Sequence, residues 1–161
     1  MQLTIFRVLL WFSVLSLGVW VGGTLFHMLV LQPLWSYDPP DSVRFFFRQT
    51  RFNKTIWNFY GPPFMAARVV PLILCVIVGW GCVPGGRWLL VVAGVTWVAI
   101  TVYTLVYIYP INDVLFLQAG GASSAAEVRV LVSKWLFADR LRFVVGTIGY
   151  LCVLRLFSRI G

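Results

Sequence analysis

Four stretches of this chain are long and apolar enough to cross a lipid bilayer, and that leaves few folds open to it. They run from about Leu3 to Leu31, Pro63 to Cys82, Trp88 to Tyr109 and Trp135 to Phe157. A helix needs about 20 apolar residues to cover the hydrocarbon core. Backbone N–H and C=O groups find no water there, so a spanning segment bonds within itself as a helix. The reading is a single all-α domain over residues 1–161, an integral membrane four-helix antiparallel bundle. The N-terminal run is longer than a signal-peptide core and no A-x-A site follows it, so it is expected to be retained as a span.

Charge is scarce and mostly of one sign. Thirteen Lys and Arg stand against five Asp and Glu, a net charge of +8. In a chain this apolar, the balance points to anionic lipid beside the loops rather than to nucleic acid. Four spans put both termini on one side. Nine of the thirteen basic residues and all five acidic ones then fall on the other, with the two long connections 35–60 and 110–134. The positive-inside rule places those connections in the cytoplasm.

In the first connection, Asp41 is a candidate N-cap of an amphipathic surface helix between spans 1 and 2. Arg44, Arg48, Arg51 and Thr55 form its polar stripe, suited to lipid headgroups, and Phe45, Phe52 and Ile56 form an apolar one. In the second, a Gly120–Gly121 turn precedes Ser124 and Glu127, a capping-box spacing that opens a short helix into span 4. Gly18 with Gly22, and Gly146 with Gly149, allow close helix contact. Cys75, Cys82 and Cys152 lie within or at the ends of spans with no C-x-x-C pair, and read as small buried apolar residues.

Each residue of a helix rises about 1.5 Å, so depth can be compared between spans. His27 lies near the long-connection end of span 1, and Arg68 near the same end of span 2. Tyr103 and Tyr107 precede Pro110 in span 3. Asp139, Arg140 and Arg142 follow Trp135 in span 4. All four spans thus carry polar residues in the same third of the membrane. Ionisable residues at such depth face the bundle interior or a wet cavity. Asp139 and Arg142 are three apart and can pair along one helix face. Pro110 is expected to end the third helix, leaving Asn112 and Asp113 over the mouth of the pocket. Each residue also has a plain structural reading. His27 can be an interior hydrogen-bonding group, Arg68 can snorkel to headgroups, the tyrosines can form an aromatic belt, and Asp139–Arg142 can staple helices.

The single histidine, with no metal-ligand spacing around it, gives no support for a metal centre and excludes a bis-histidine haem within one copy. No phosphate-binding glycine motif is present. What remains is an apolar pocket with one imidazole, guanidiniums, carboxylates and phenols, which suits a lipophilic substrate that becomes an anion. His27 can accept a proton near neutral pH. Arg68, Arg140 or Arg142 can hold the anion, more strongly in a water-poor site than in water. Trp57, Phe64 and Trp135 can stack on a flat ring, with Tyr103 and Tyr107 nearby.

The segment YPINDVL, followed about 20 residues later by KWLFADRLRFVVGTIGY, resembles the anthrone-oxygenase-like family of small four-helix membrane proteins. The resemblance rests on Pro110 and Asn112 after the third span, and on Trp135 and Arg142 opening the fourth. It implies that Asn112 and Arg142 serve the family's activity. In some members that activity is oxidation of polycyclic anthrones to anthraquinones by molecular oxygen with no bound cofactor. The role of His27 is inferred from depth alone, and Asp139 joins it through its pairing with Arg142. Two other readings stay open. One is a non-catalytic accessory subunit of a larger membrane complex, or a homo-oligomer. The other is a lipid or quinone binder using Arg44, Arg48 and Arg51.

Overall fold

The computed structural model describes residues 1–49, 59–118 and 123–160. Every regular element among them is helical. Four helices are long and apolar enough to cross a membrane, as expected of a multi-pass integral membrane protein. Span 1 is Gln2–Ser36, span 2 Pro62–Gly79, span 3 Pro84–Leu117 and span 4 Ala125–Ile160. A surface helix, Asp41–Gln49, follows span 1. Span 1 packs on spans 2 and 4, and span 3 packs on the same two, closing a ring. Side chains such as Phe12, Leu29, Val95, Val106 and Phe137 point outward, where lipid rather than water accepts them.

Three spans outrun the apolar stretches read from the sequence. Span 4 has 36 residues, about 54 Å of helix against a hydrocarbon core of about 30 Å. The expected short helix after Ser124 is simply its first turn, and the Ser124 hydroxyl accepts the Glu127 N–H at 3.2 Å. Pro110 does not end span 3. A π turn over Thr104–Ile108 precedes it, with the Tyr109 N–H bonded to the Thr104 carbonyl, and the helix continues to Leu117. Span 1 repeats the device, with a π turn over His27–Leu31 just before Pro33. A proline ring crowds the carbonyl four residues back and offers no N–H. A widened turn there relieves the crowding, so the chain passes the proline without leaving the helix. Asn112 accordingly sits on a helix rather than in a lid.

The surface helix also differs from its expected form. Val43 and Phe47 are buried while Phe45 is exposed. Its apolar face packs on the protein, with Phe47 stacked on Phe116 at 4.2 Å and tilted against Trp35 at 5.8 Å. Ser42 fixes the approach, donating to the Trp35 carbonyl at 2.8 Å and accepting from the Asp38 N–H. Arg48 is exposed. Arg51, Thr55, Phe52, Ile56, Trp57 and the Gly120–Gly121 turn lie outside the described residues.

The interior has two apolar clusters. One, near the chain ends, contains Phe6, Leu17, Trp20, Leu72, Trp97 and Val153. The other, near the long connections, contains Trp35, Val43, Phe47, Leu115, Val128 and Trp135. At the chain ends, polar side chains donate to backbone carbonyls that the helices leave open: Arg7 to Ile160, Arg87 to Trp80, Arg159 to Gly85 and Gln2 to Val78. Cys75 is buried beside the Ser13 hydroxyl, and the three cysteines are free.

Glycines set the spacing of span 4. A Cβ on Gly146 would come within 2.6 Å of the Trp20 ring, whereas one on Gly22 would meet nothing within 4 Å. Gly146→Ala is therefore expected to destabilise the folded protein by about 1–3 kcal/mol through overpacking. Gly22→Ala should change stability by less than about 0.5 kcal/mol. Unfolding of the two variants in detergent measures both, and equal stabilities would contradict this packing.

Candidate functional site: a buried polar layer between spans 1, 3 and 4

Along spans 1, 3 and 4 a buried polar stretch separates the two apolar clusters. His27, Thr104, Asp139 and Arg142 are all buried there, and Arg68 of span 2 joins them. Two of these residues open the π turns described above. The extra residue in each turn shifts the helix face, so the turns that admit the prolines also orient His27 and Thr104.

Asp139 is the centre of the layer and is fully buried. Arg142, one helical turn later, forms an ion pair with Asp139 through Nη2 and Oδ1. The Gln32 side-chain amide donates to Oδ2 at 2.6 Å. His27 Nδ1 lies 3.7 Å from the same oxygen. Spans 1 and 4 are thus joined through one carboxylate. Arg142 Nη1 also reaches the Thr104 hydroxyl at 3.5 Å, bringing in span 3.

Aromatic rings hold the charged groups from the sides. The Arg142 guanidinium lies over Trp20 at 5.8 Å and over Tyr60 at 5.7 Å. Arg68 lies among Trp20, Phe64 and Trp97, at 5.6, 5.3 and 5.7 Å. The His27 ring meets Trp135 edge-on at 5.5 Å and Tyr60 at 6.0 Å. Trp135 is itself fixed, because its indole N–H donates to Asn112 Oδ1 at 2.6 Å. Burial pushes the Tyr60 phenol above its ordinary range, so it stays neutral and keeps its proton for donation.

These groups line a cavity of about 30 Å³, bounded by His27, Tyr60, Asn112, Trp135 and Arg142, with Phe116 on the wall. That is room for roughly two waters. The sequence-derived residues divide accordingly. His27, Asn112, Trp135 and Arg142 line the cavity, Asp139 stands directly behind it, and Arg68 lines a neighbouring one. Arg140 is exposed, about 100° of helical turn around span 4 from Asp139. Tyr103 and Tyr107 stack on each other at 5.1 Å, and neither lines the cavity. Phe64 stacks on Phe59 and covers Arg68. Trp57 has no described position. Gln32, Tyr60 and Thr104 belong to the layer without having been singled out in the sequence. A glutamine at the end of an apolar run and hydroxyls near or within such runs carry no signal of their own. Among the described residues, no three His, Cys, Asp or Glu side chains gather as metal ligands.

Four apolar helices closing around one buried carboxylate, an imidazole and two guanidiniums define a small membrane protein with an internal polar site. A family model described as anthrone oxygenase matches residues 55–152, and the chain belongs to that family. The matched region holds Arg68, Asn112, Trp135, Asp139 and Arg142, but not His27 or Gln32. No curated protein and no solved structure matches the chain.

Removing one member of a buried ion pair strands the other, which costs about 3–5 kcal/mol. Asp139→Ala is expected to destabilise the protein by that amount in detergent unfolding. Replacing both partners, Asp139→Leu with Arg142→Met, should recover most of the loss. A double variant no more stable than Asp139→Ala would contradict the pairing.

Proposed function

We propose that the chain is a cofactor-independent oxygenase acting on a lipophilic aromatic substrate, of the anthrone type, within this polar layer. The observation that carries the reading is the common cavity. An imidazole backed by a buried carboxylate and a guanidinium line the same space. His27 presents Nδ1 to Asp139, which leaves Nε2 as the proton acceptor. A carboxylate in that position orients the ring and favours the imidazolium that forms. Arg142 and the neutral Tyr60 hydroxyl stabilise the oxyanion left on the substrate, in a site from which bulk water is excluded. Asn112 acts as a positioning residue. It holds Trp135, and Trp135 holds the edge of His27.

The chemistry balances without a bound group. His27 removes a proton from the acidic ring CH₂, giving an enolate. The enolate passes electrons to O₂ and a C–O bond forms. The peroxide anion recovers the proton from His27, and loss of water leaves the quinone carbonyl. One O₂ is consumed for each quinone and each water produced. A tricyclic substrate is far larger than the cavity, so Tyr60, Phe116 or Trp135 must rotate aside to admit it.

A lipid contact is a second reading, favoured by an open apolar groove of about 480 Å³ between spans 2 and 3, lined by Ile73, Val76, Val91 and Val95. It takes acyl chains, while Arg44 and Arg48 on the surface helix meet headgroups. This lipid shell is compatible with catalysis.

Oxygen uptake by the purified protein with an anthrone tests the main proposal. His27→Ala should lower the rate by about 10²–10⁴-fold, as loss of a general base does. Arg142→Gln should lower it by about 10²–10³-fold, with activity normalised to folded protein. Wild-type protein that consumes no oxygen, or variants with full activity, would remove the proposal.

A further inference from the structure

The buried layer carries more positive than negative charge. The chain has five acidic residues, and four of them, Asp38, Asp41, Asp113 and Glu127, are exposed. Asp139 alone is buried, and it is already engaged by Arg142, Gln32 and His27. Arg68 is 5% exposed and pairs with no carboxylate among the described residues. Its one hydrogen bond among the described residues runs from Nε to the Phe64 carbonyl at 3.1 Å. An arginine does not shed its proton in a protein, so two buried guanidiniums stand against one buried carboxylate, which pairs with Arg142 alone of the two. Stacking on Trp20, Trp97 and Phe64 lowers the energy of the Arg68 cation, but it cancels no charge.

Both guanidiniums approach the same ring, Trp20, at 5.6 and 5.8 Å. A second cavity of about 10 Å³ is lined by Arg68, Arg142, Tyr60, Trp20 and Thr104. As it stands it admits one particle of about water's size, so a halide, which is larger, enters as the Tyr60 and arginine side chains move apart. The polar groups around it are rich in donors. Arg142 Nε is buried with no acceptor among the described residues. The Tyr60 and Thr24 hydroxyls lie near each other but short of hydrogen-bond geometry. The Thr104 hydroxyl already donates to the Ile100 carbonyl.

We infer that this second cavity is a binding site for a small monovalent inorganic anion of halide size, held between Arg68 and Arg142 with the Tyr60 hydroxyl as a further donor. The anion completes the charge balance of the layer, as a buried charge in a membrane interior requires a partner. The inference rests on charge and geometry and does not depend on the oxygenase reading.

The test uses the full-length protein in detergent, exchanged into sodium gluconate. Thermal unfolding is then followed as chloride or bromide replaces gluconate at constant ionic strength. The expected result is a melting temperature that rises by a few degrees and levels off, because a ligand that binds only the folded state stabilises it. Arg68→Met should lose that rise. A melting temperature indifferent to halide, an equal response to sulfate, or an undiminished response in Arg68→Met would each overturn the site. Should Arg68→Met not fold, the wild-type titration and a bromide anomalous-scattering map decide the matter. A peak between Arg68 and Arg142 supports the site, and its absence overturns it.

Discussion

Everything distinctive in this bundle depends on one ionised carboxylate held where lipid-exposed helices would exclude it. Asp139 is fully buried, and an unpaired carboxylate there would be prohibitively costly. It persists because Arg142 pairs with it from the same helix and Gln32 donates to it from span 1. The third approach, from His27, is slightly too long for a hydrogen bond. That leaves the imidazole beside a negative charge, with Nδ1 the nitrogen turned toward it. The carboxylate therefore fastens spans 1 and 4 and sets the surroundings of the single imidazole.

The surrounding architecture follows from the need to house such a layer. In a water-soluble bundle the interior is apolar and the surface charged. Here the lipid-facing side chains are apolar, and polar groups gather inside, between two apolar clusters. Helix continuity has to survive two prolines, because an open backbone group in lipid has no partner. The π turns before Pro33 and Pro110 meet that requirement. They also carry His27 and Thr104, so a backbone necessity and the placement of buried polar groups are solved by the same turns. Gly146 completes the arrangement by letting Trp20 lie close to span 4, beneath both arginines.

Much of this was legible in the sequence, for definite reasons. Apolar run length determines spanning helices almost directly, so the four spans and their helical class were readable. Counting residues from the ends of the runs gives depth, and depth alone brought His27, Arg68, Asp139 and Arg142 to one level. Depth says nothing about direction around the helix, which is why Arg140, adjacent in sequence to Asp139, was grouped with a layer it faces away from. Pro110 was misread because the usual effect of proline, ending a helix, assumes no widened turn upstream. Tyr60 lies just before an apolar run, and its place against Arg142 and His27 depends on tertiary packing that no local pattern records. Asn112 and Trp135, two of the residues on which the family resemblance rests, are bonded to each other, a contact between spans 3 and 4 that no local sequence pattern records.

The central claim is that Asp139 faces Nδ1 of His27 and leaves Nε2 to accept a proton. The chain contains one histidine, so a ¹⁵N-histidine NMR spectrum of the protein in detergent or bilayers reports a single imidazole. It is recorded as a pH series and read at the alkaline end, where the neutral ring shows which nitrogen carries the proton. The account predicts a proton on Nδ1, a bare Nε2, and a clear change in both signals in Asp139→Asn. A proton on Nε2 in the wild type, or a spectrum unchanged by Asp139→Asn, would contradict it.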